Sequence, residues 1–147
     1  MVLLDGVVNF KYYNRKLDFD NNLIFNKISI TAGKCFGNCS EFEMKIDKNN
    51  KKMNFYGIAN CKVYGEYETI LESRDIHKLD SIFKWTNLSK IDSTLYYGSI
   101  DDWSITMKIQ YNDNYYKTIK GTYWELPYQL KPIMWYSFKI LRNKKLI

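Results

Sequence analysis

The sequence predicts an α+β domain in which an antiparallel sheet, made of a meander and a C-terminal hairpin, carries two packed helices in the order β-β-β-β-α-β-β-α. Three observations predict it. Between Ile28 and Val63 apolar side chains recur at every second position, the period of a strand with one wet face. From Ser73 the period becomes that of a helix, and helical spacing returns after Pro127. Between these stretches lie two more alternating runs, joined by Asn112-Asp113-Asn114 as a hairpin turn.

In chain order, "NKISITA" alternates Ile28, Ile30 and Ala32. Phe42, Met44 and Ile46 then alternate with Glu41, Glu43 and Lys45, and "DKNNKK" (47–52) is a polar turn. Met53, Phe55, Gly57, Ala59, Cys61 and Val63 share the inner face of the next strand, and "GEYETIL" (65–71) follows through Gly65. Ser73 is the expected cap of the first helix, and Asp75 suits the positive end of its dipole. Ile76, Leu79, Ile82 and Phe83 fall on one side, and the helix is expected to end between Trp85 and Asn87. A loop with Tyr96, Tyr97 and Gly98 leads to Asp101 and Asp102. Trp103, Ile105, Met107, Ile109 and Tyr111 are in phase on the next strand, and "YYKTIKGTY" returns beside it. The tail from Pro127 to Lys145 reads as a second helix, in which Pro132 either lies near the start, where its missing N–H does no harm, or marks a kink. Residues 1–22 read as an N-terminal arm or edge strand, and 23–147 as a single α+β domain.

A chain of 147 residues is long enough for one domain with a sizeable core. Its 46% apolar and 26% charged content is that of a globular protein. The net charge of +6 permits weak attraction to nucleic acid or anionic lipid. The lysines are spread along the chain, however, as on a solvated surface. The densest basic cluster, "KILRNKK", suits the negative end of a helix dipole. No segment reaches the roughly 18 apolar residues of a bilayer-spanning helix. The opening "MVLLDGVVNF" has no basic region before its apolar run, which Asp5 interrupts, so it reads as a poor secretory signal, and a cytoplasmic location is expected for the sequence as given, with a missing leader as the alternative.

The stretch "KCFGNCSEFEMKI" (34–46) sets Cys35 and Cys39 four apart, which is not a CxxC motif. With Cys61 and His77 the chain holds three cysteines and one histidine, enough for a tetrahedral zinc site only if loop and helix converge. A disulfide between Cys35 and Cys39, or between one of them and Cys61, is an alternative. The expected role is structural. Gly33 and Gly37 permit a tight turn or bulge, and Cys39 and Cys61 pack behind the sheet as small apolar groups. Cys35, Gly37, Cys39 and Cys61 are thus read as structural residues.

Asp101 and Asp102 are the one adjacent acidic pair before a strand. A metal-dependent hydrolase or nuclease would use them with further oxygen ligands such as Asp92 or Glu125. The plainer reading has their carboxylates accepting backbone N–H bonds in a turn. His77 has no nucleophile in a readable motif, and no Gly-rich phosphate loop is present. Neither a cofactor nor an enzymatic activity is therefore expected.

The chain has 13 Tyr and 4 Trp, although Lys, Asn, Ile and Tyr rise together as A/T-rich codons make them. Given the alternation, the tyrosines cannot all be interior. Tyr96, Tyr97, Tyr123 and Trp124 are the expected binding residues, and cross-strand aromatic pairing is the alternative. The expected function is a non-enzymatic module that recognises a protein or polymer through an aromatic-rich surface. A protein is the favoured partner, and a basic nucleic-acid-binding domain is the second alternative to the hydrolase.

Four stretches, "CFGNCSEFEMKI", "NFYGIANCKVYGEY", "DIHKLDSIF" and "DDWSITMKI" with its Tyr-rich return, together resemble a bacterial domain-of-unknown-function family. That family is marked by an FGxCPxY-type box, is common in Bacteroidota, and is often exported or lipid-anchored. The resemblance runs roughly from Ile28 to Leu146, with Ser40 standing where the box has Pro. It implies the fold and carries no activity across.

Overall fold

The computed structural model describes residues 19–93, 95, 96 and 101–147, with the side chains of 95 and 96 excepted. Most of the expected N-terminal arm, together with Tyr97 and Gly98, lies outside the described residues.

The alternating runs become strands β1 (Phe25–Ala32), β2 (Glu41–Asp47), β3 (Lys52–Ala59) and β4 (Gly65–Ile70). Helix α1 (Ser73–Phe83) follows, then a two-residue strand β5 (Leu95–Tyr96). The hairpin strands β6 (Ser104–Tyr111) and β7 (Tyr115–Thr122) precede helix α2 (Lys131–Asn143). The expected α+β order is observed, with β5 added where a plain loop was expected.

The strands form one sheet in the order β4-β3-β2-β1-β6-β7-β5. Pairing of β1 with β6, Ile28 opposite Ile109 and Ile30 opposite Met107, joins the meander to the hairpin. All long strands pair antiparallel. The short β5 runs parallel to β7 at the edge opposite β4, which the chain reaches after α1.

Register is held by the period of two. Ile28, Ile30, Phe42, Met44, Ile46, Met53 and Phe55 are all buried on one face, and a slip of one residue would turn each of them to water. Both helices cover that face. Phe83 of α1 stacks on Phe25 at 4.6 Å, and Phe138 of α2 meets Phe42 edge-on at 5.5 Å. Truncating a buried phenylalanine such as Phe138 to alanine costs about 3–5 kcal/mol, the transfer loss plus the cavity. The helices are joined where the Tyr136 hydroxyl donates to Asp75 Oδ1 at 2.8 Å.

The turns follow local chemistry. In the β2–β3 turn the carboxylate of Asp47 accepts from Asn49 N–H, the amide oxygen of Asn50 accepts from Lys52 N–H, and Lys51 is left-handed. Asn112 and Asp113 both have positive φ in the β6–β7 turn, and Asp113 exchanges two hydrogen bonds with the Asn26 side chain.

Several boundaries differ from expectation. Residue 72, a glutamate, caps α1 without a side-chain bond, while Ser73 is its first residue and its hydroxyl accepts from Lys51 Nζ at 2.7 Å. That helix stops at Phe83, whose carbonyl takes the Thr86 hydroxyl at 2.7 Å. Strand β3 ends at Ala59, because left-handed Asn60 turns the chain before Cys61 and Val63. Helix α2 begins at Lys131, after a turn in which Leu130 N–H donates to Pro127 O, and Pro132 lies in its first turn.

Candidate binding surface at the disulfide-closed end

The end of the sheet where β1 stops and β6 begins carries a loop held by backbone hydrogen bonds and a disulfide. The β1–β6 ladder continues past both strands. Gly33 N–H donates to Ser104 O at 2.9 Å, Ser104 N–H to Lys34 O at 3.3 Å, and Phe36 N–H to Asp101 O at 3.1 Å. Cys35 and Cys39 then close the loop as a disulfide with Cα atoms 5.9 Å apart. Gly37, at φ 141°, supplies a backbone conformation that side chains rarely adopt.

One expectation changes here. Cys39 is a half-exposed disulfide partner rather than a buried thiol packed behind the sheet. Cys61 is the buried free cysteine, and its thiol donates towards the carbonyls of Glu41 and Ala59. Burial pushes that thiol above its ordinary range, which keeps it protonated and unreactive. The loop exit is also fixed. The Ser40 hydroxyl donates to Asn60 O at 2.7 Å, and Trp103 Nε1 donates to Ser40 O at 3.0 Å.

Asp101 and Asp102 sit beside this loop. Oδ1 of Asp102 accepts the Trp103 N–H at 2.7 Å, and Oδ2 accepts the Trp124 N–H at 2.9 Å. Its carboxylate is therefore engaged by backbone, the plainer of the two readings of the pair. Among the described residues no three His, Cys, Asp or Glu side chains gather as a metal site. His77 is exposed on α1.

The expected binding aromatics divide. Tyr123 is half-buried, stacked on Trp103 at 5.6 Å and 18°, and belongs to the packing over Phe138. Trp124 meets Tyr123 edge-on at 5.0 Å and remains 64% exposed. Lys131 holds it from α2, with Nζ donating to the Trp124 carbonyl at 2.8 Å and lying 6.0 Å from the ring centre. The backbone of Tyr96 in β5 pairs with Gly121 of β7, and the Tyr96 side chain, like all of Tyr97, is outside the described residues.

Phe36 was not among the expected binding residues. It is 86% exposed at the tip of the disulfide loop, the largest exposure of any large apolar residue described. The available signal was its place between two cysteines, where the ring has no strand face to pack on. Phe36 and Trp124 are both tied by backbone hydrogen bonds to the Asp101–Asp102 pair. Two solvent-facing aromatic rings are thus carried on restrained backbone at one end of the domain.

A known family model matches residues 26–140, from the start of β1 to the last turns of α2. The chain belongs to DUF6438, a domain-of-unknown-function family. The match takes in the whole disulfide loop, the Asp101–Asp102 pair and Trp124, so the candidate surface is part of the DUF6438 domain itself. A search of curated proteins found no match.

Proposed function

We propose that this DUF6438 domain is a non-enzymatic binding module that recognises a protein partner through Phe36 and Trp124. The carrying observation is the exposure of both rings on restrained backbone. An apolar side chain left in water on a flexible loop is common and needs no explanation. Here a disulfide and a backbone ladder restrain the backbone that carries one ring, and a carboxylate and a lysine restrain the backbone that carries the other. Little backbone ordering entropy then remains to be lost on binding, a condition that favours aromatic anchors as hot spots.

The disulfide favours an oxidising compartment over the cytoplasmic location expected from the opening residues. The resemblance of "CFGNCSEF" to the FGxCPxY-type box of exported bacterial proteins supports the same reading.

The test is a pull-down from source-cell extract with the wild-type domain and with a Phe36→Ser/Trp124→Ser double variant of matched thermal stability. A protein retained in stoichiometric amount by the wild type and lost from the variant is the expected result. Identical retention by both, or no retained protein, overturns the reading.

A further inference from the structure

The sheet has a second surface, opposite the helices, and its charge is divided. Strands β1, β6 and β7 contain no Asp or Glu, whereas β2 carries Glu41, Glu43 and Asp47 around a single lysine, Lys45, and β4 carries Glu66 and Glu68. The register places one outward lysine in each of three successive rows across β1, β6 and β7. Lys27 stands beside Gln110, Lys108 lies between Ser29 and Thr118, and Lys120 stands beside Thr106. Each row moves the lysine one strand over, so the three form a diagonal with a Cα step of about 8 Å, from strand spacing and rise.

These ammonium groups face water. All three lysines are exposed. Lys27 approaches Asp47, at the acidic border, at 3.4 Å. Lys108 and Lys120 make no ion pair or hydrogen bond among the described residues. A shallow depression of about 420 Å³ lies over this part of the sheet, and Lys27, Ser29, Lys108, Gln110 and Thr118 help line it. Among these strands' outward residues the rest are largely hydroxyl or amide groups.

We infer that this face binds an acidic oligosaccharide, with its carboxylates along the Lys27–Lys108–Lys120 diagonal and its ring hydroxyls on Ser29, Thr106 and Thr118. Charge complementarity selects an anion, because like charges at fixed register, with Lys108 and Lys120 in no ion pair among the described residues, gain from one bound chain of opposite sign. Extension along a diagonal selects a chain over a single small ion. The hydroxyl and amide surroundings select carbohydrate over single-stranded nucleic acid, which stacks successive bases on aromatic rings. Tyr116 is the one aromatic in these three rows.

The experiment is isothermal titration of the full chain with a galacturonate hexamer at low salt, beside maltohexaose and an oligothymidylate of similar length. The expected result is binding of the uronate that falls with added salt. Lys108→Gln should weaken it about tenfold, the worth of one charged hydrogen bond, while Lys78→Gln on α1 leaves it unchanged. The Phe36→Ser/Trp124→Ser variant should bind the uronate like the wild type, which separates this site from the proposed protein-binding end. Absence of uronate binding, equal affinity for maltohexaose, an unaffected Lys108→Gln, or tighter binding of the oligothymidylate overturns the inference.

Discussion

Asp102 and Trp124, 22 residues apart, are joined by a hydrogen bond of 2.9 Å in which the Trp124 backbone N–H donates to Oδ2. Oδ1 of the same carboxylate holds the Trp103 N–H. One side chain thus fixes the start of β6 against the end of β7 and sets where the Trp124 ring emerges.

Asp102→Ala is therefore expected to lower the unfolding free energy by about 1–3 kcal/mol, because two N–H donors lose a charged acceptor. Asp102→Asn should fall between it and the wild type, since one amide oxygen keeps one bond. Urea unfolding followed by tryptophan fluorescence measures both. Wild-type stability in Asp102→Ala would remove the carboxylate's structural role.

The cysteines predict a thiol count. In denaturant without reductant, one thiol, Cys61, should react with a colorimetric thiol reagent, and three should react after reduction. In the folded protein Cys61 should be protected by burial. Reduction of the Cys35–Cys39 bond is expected to cost about 2 kcal/mol through the loop-closure entropy returned to the unfolded chain, and to lower Tm by about 4–8 °C. Two further reactive thiols before reduction would contradict the pairing.

Tyr136 predicts an alkaline limit to stability. Burial, its hydrogen bond to Asp75 and that residue's negative charge push its hydroxyl up to about 12, above an unfolded value of about 10. The neutral form is favoured in the folded state, so this contribution is fully present below about pH 10 and is lost as pH rises towards 12. Unfolding free energy measured from pH 9 to 12 should fall, and Tyr136→Phe should show a shallower fall. The same variant should be about 1 kcal/mol less stable at neutral pH for want of the bond to Asp75. An unchanged alkaline slope in Tyr136→Phe would assign the limit to other groups.

Gly57 and Gly65 face each other across β3 and β4 but are needed for different reasons. A Cβ on Gly57 would run into the Val63 carbonyl oxygen, a backbone atom that cannot swing aside. Gly65 has open space around it and a φ of 75°. Gly57→Ala should cost about 1–3 kcal/mol by crowding, with Gly57→Asn at least as damaging. At Gly65 the order should reverse, with Asn milder than Ala because asparagine tolerates the left-handed region. Thermal unfolding of the four variants distinguishes space from conformation, and the same order at both positions would refute the distinction.

The residue order alone was enough for the six long strands, the two helices and their order, while the short β5 was read as a loop. A strand's wet and buried faces alternate every residue and a helix's recur every three to four, so Phe42-Met44-Ile46 and Ile76-Leu79-Phe83 announce themselves without any partner. The polar turns at 47–52 and 112–114 were legible for a similar reason, since Asn and Asp bond to their own backbone. Folding decided what no local pattern records. Pairing of β1 with β6 is a contact between distant segments, and together with the β6–β7 hairpin it lines up Lys27, Lys108 and Lys120, which look evenly scattered in the chain. It also carries the ladder that positions Phe36 beside Asp101 and leaves Cys35 facing Cys39 while Cys61 is sealed inside. Those assignments depend on which atoms meet across the sheet, and hydrophobic period carries no information about that.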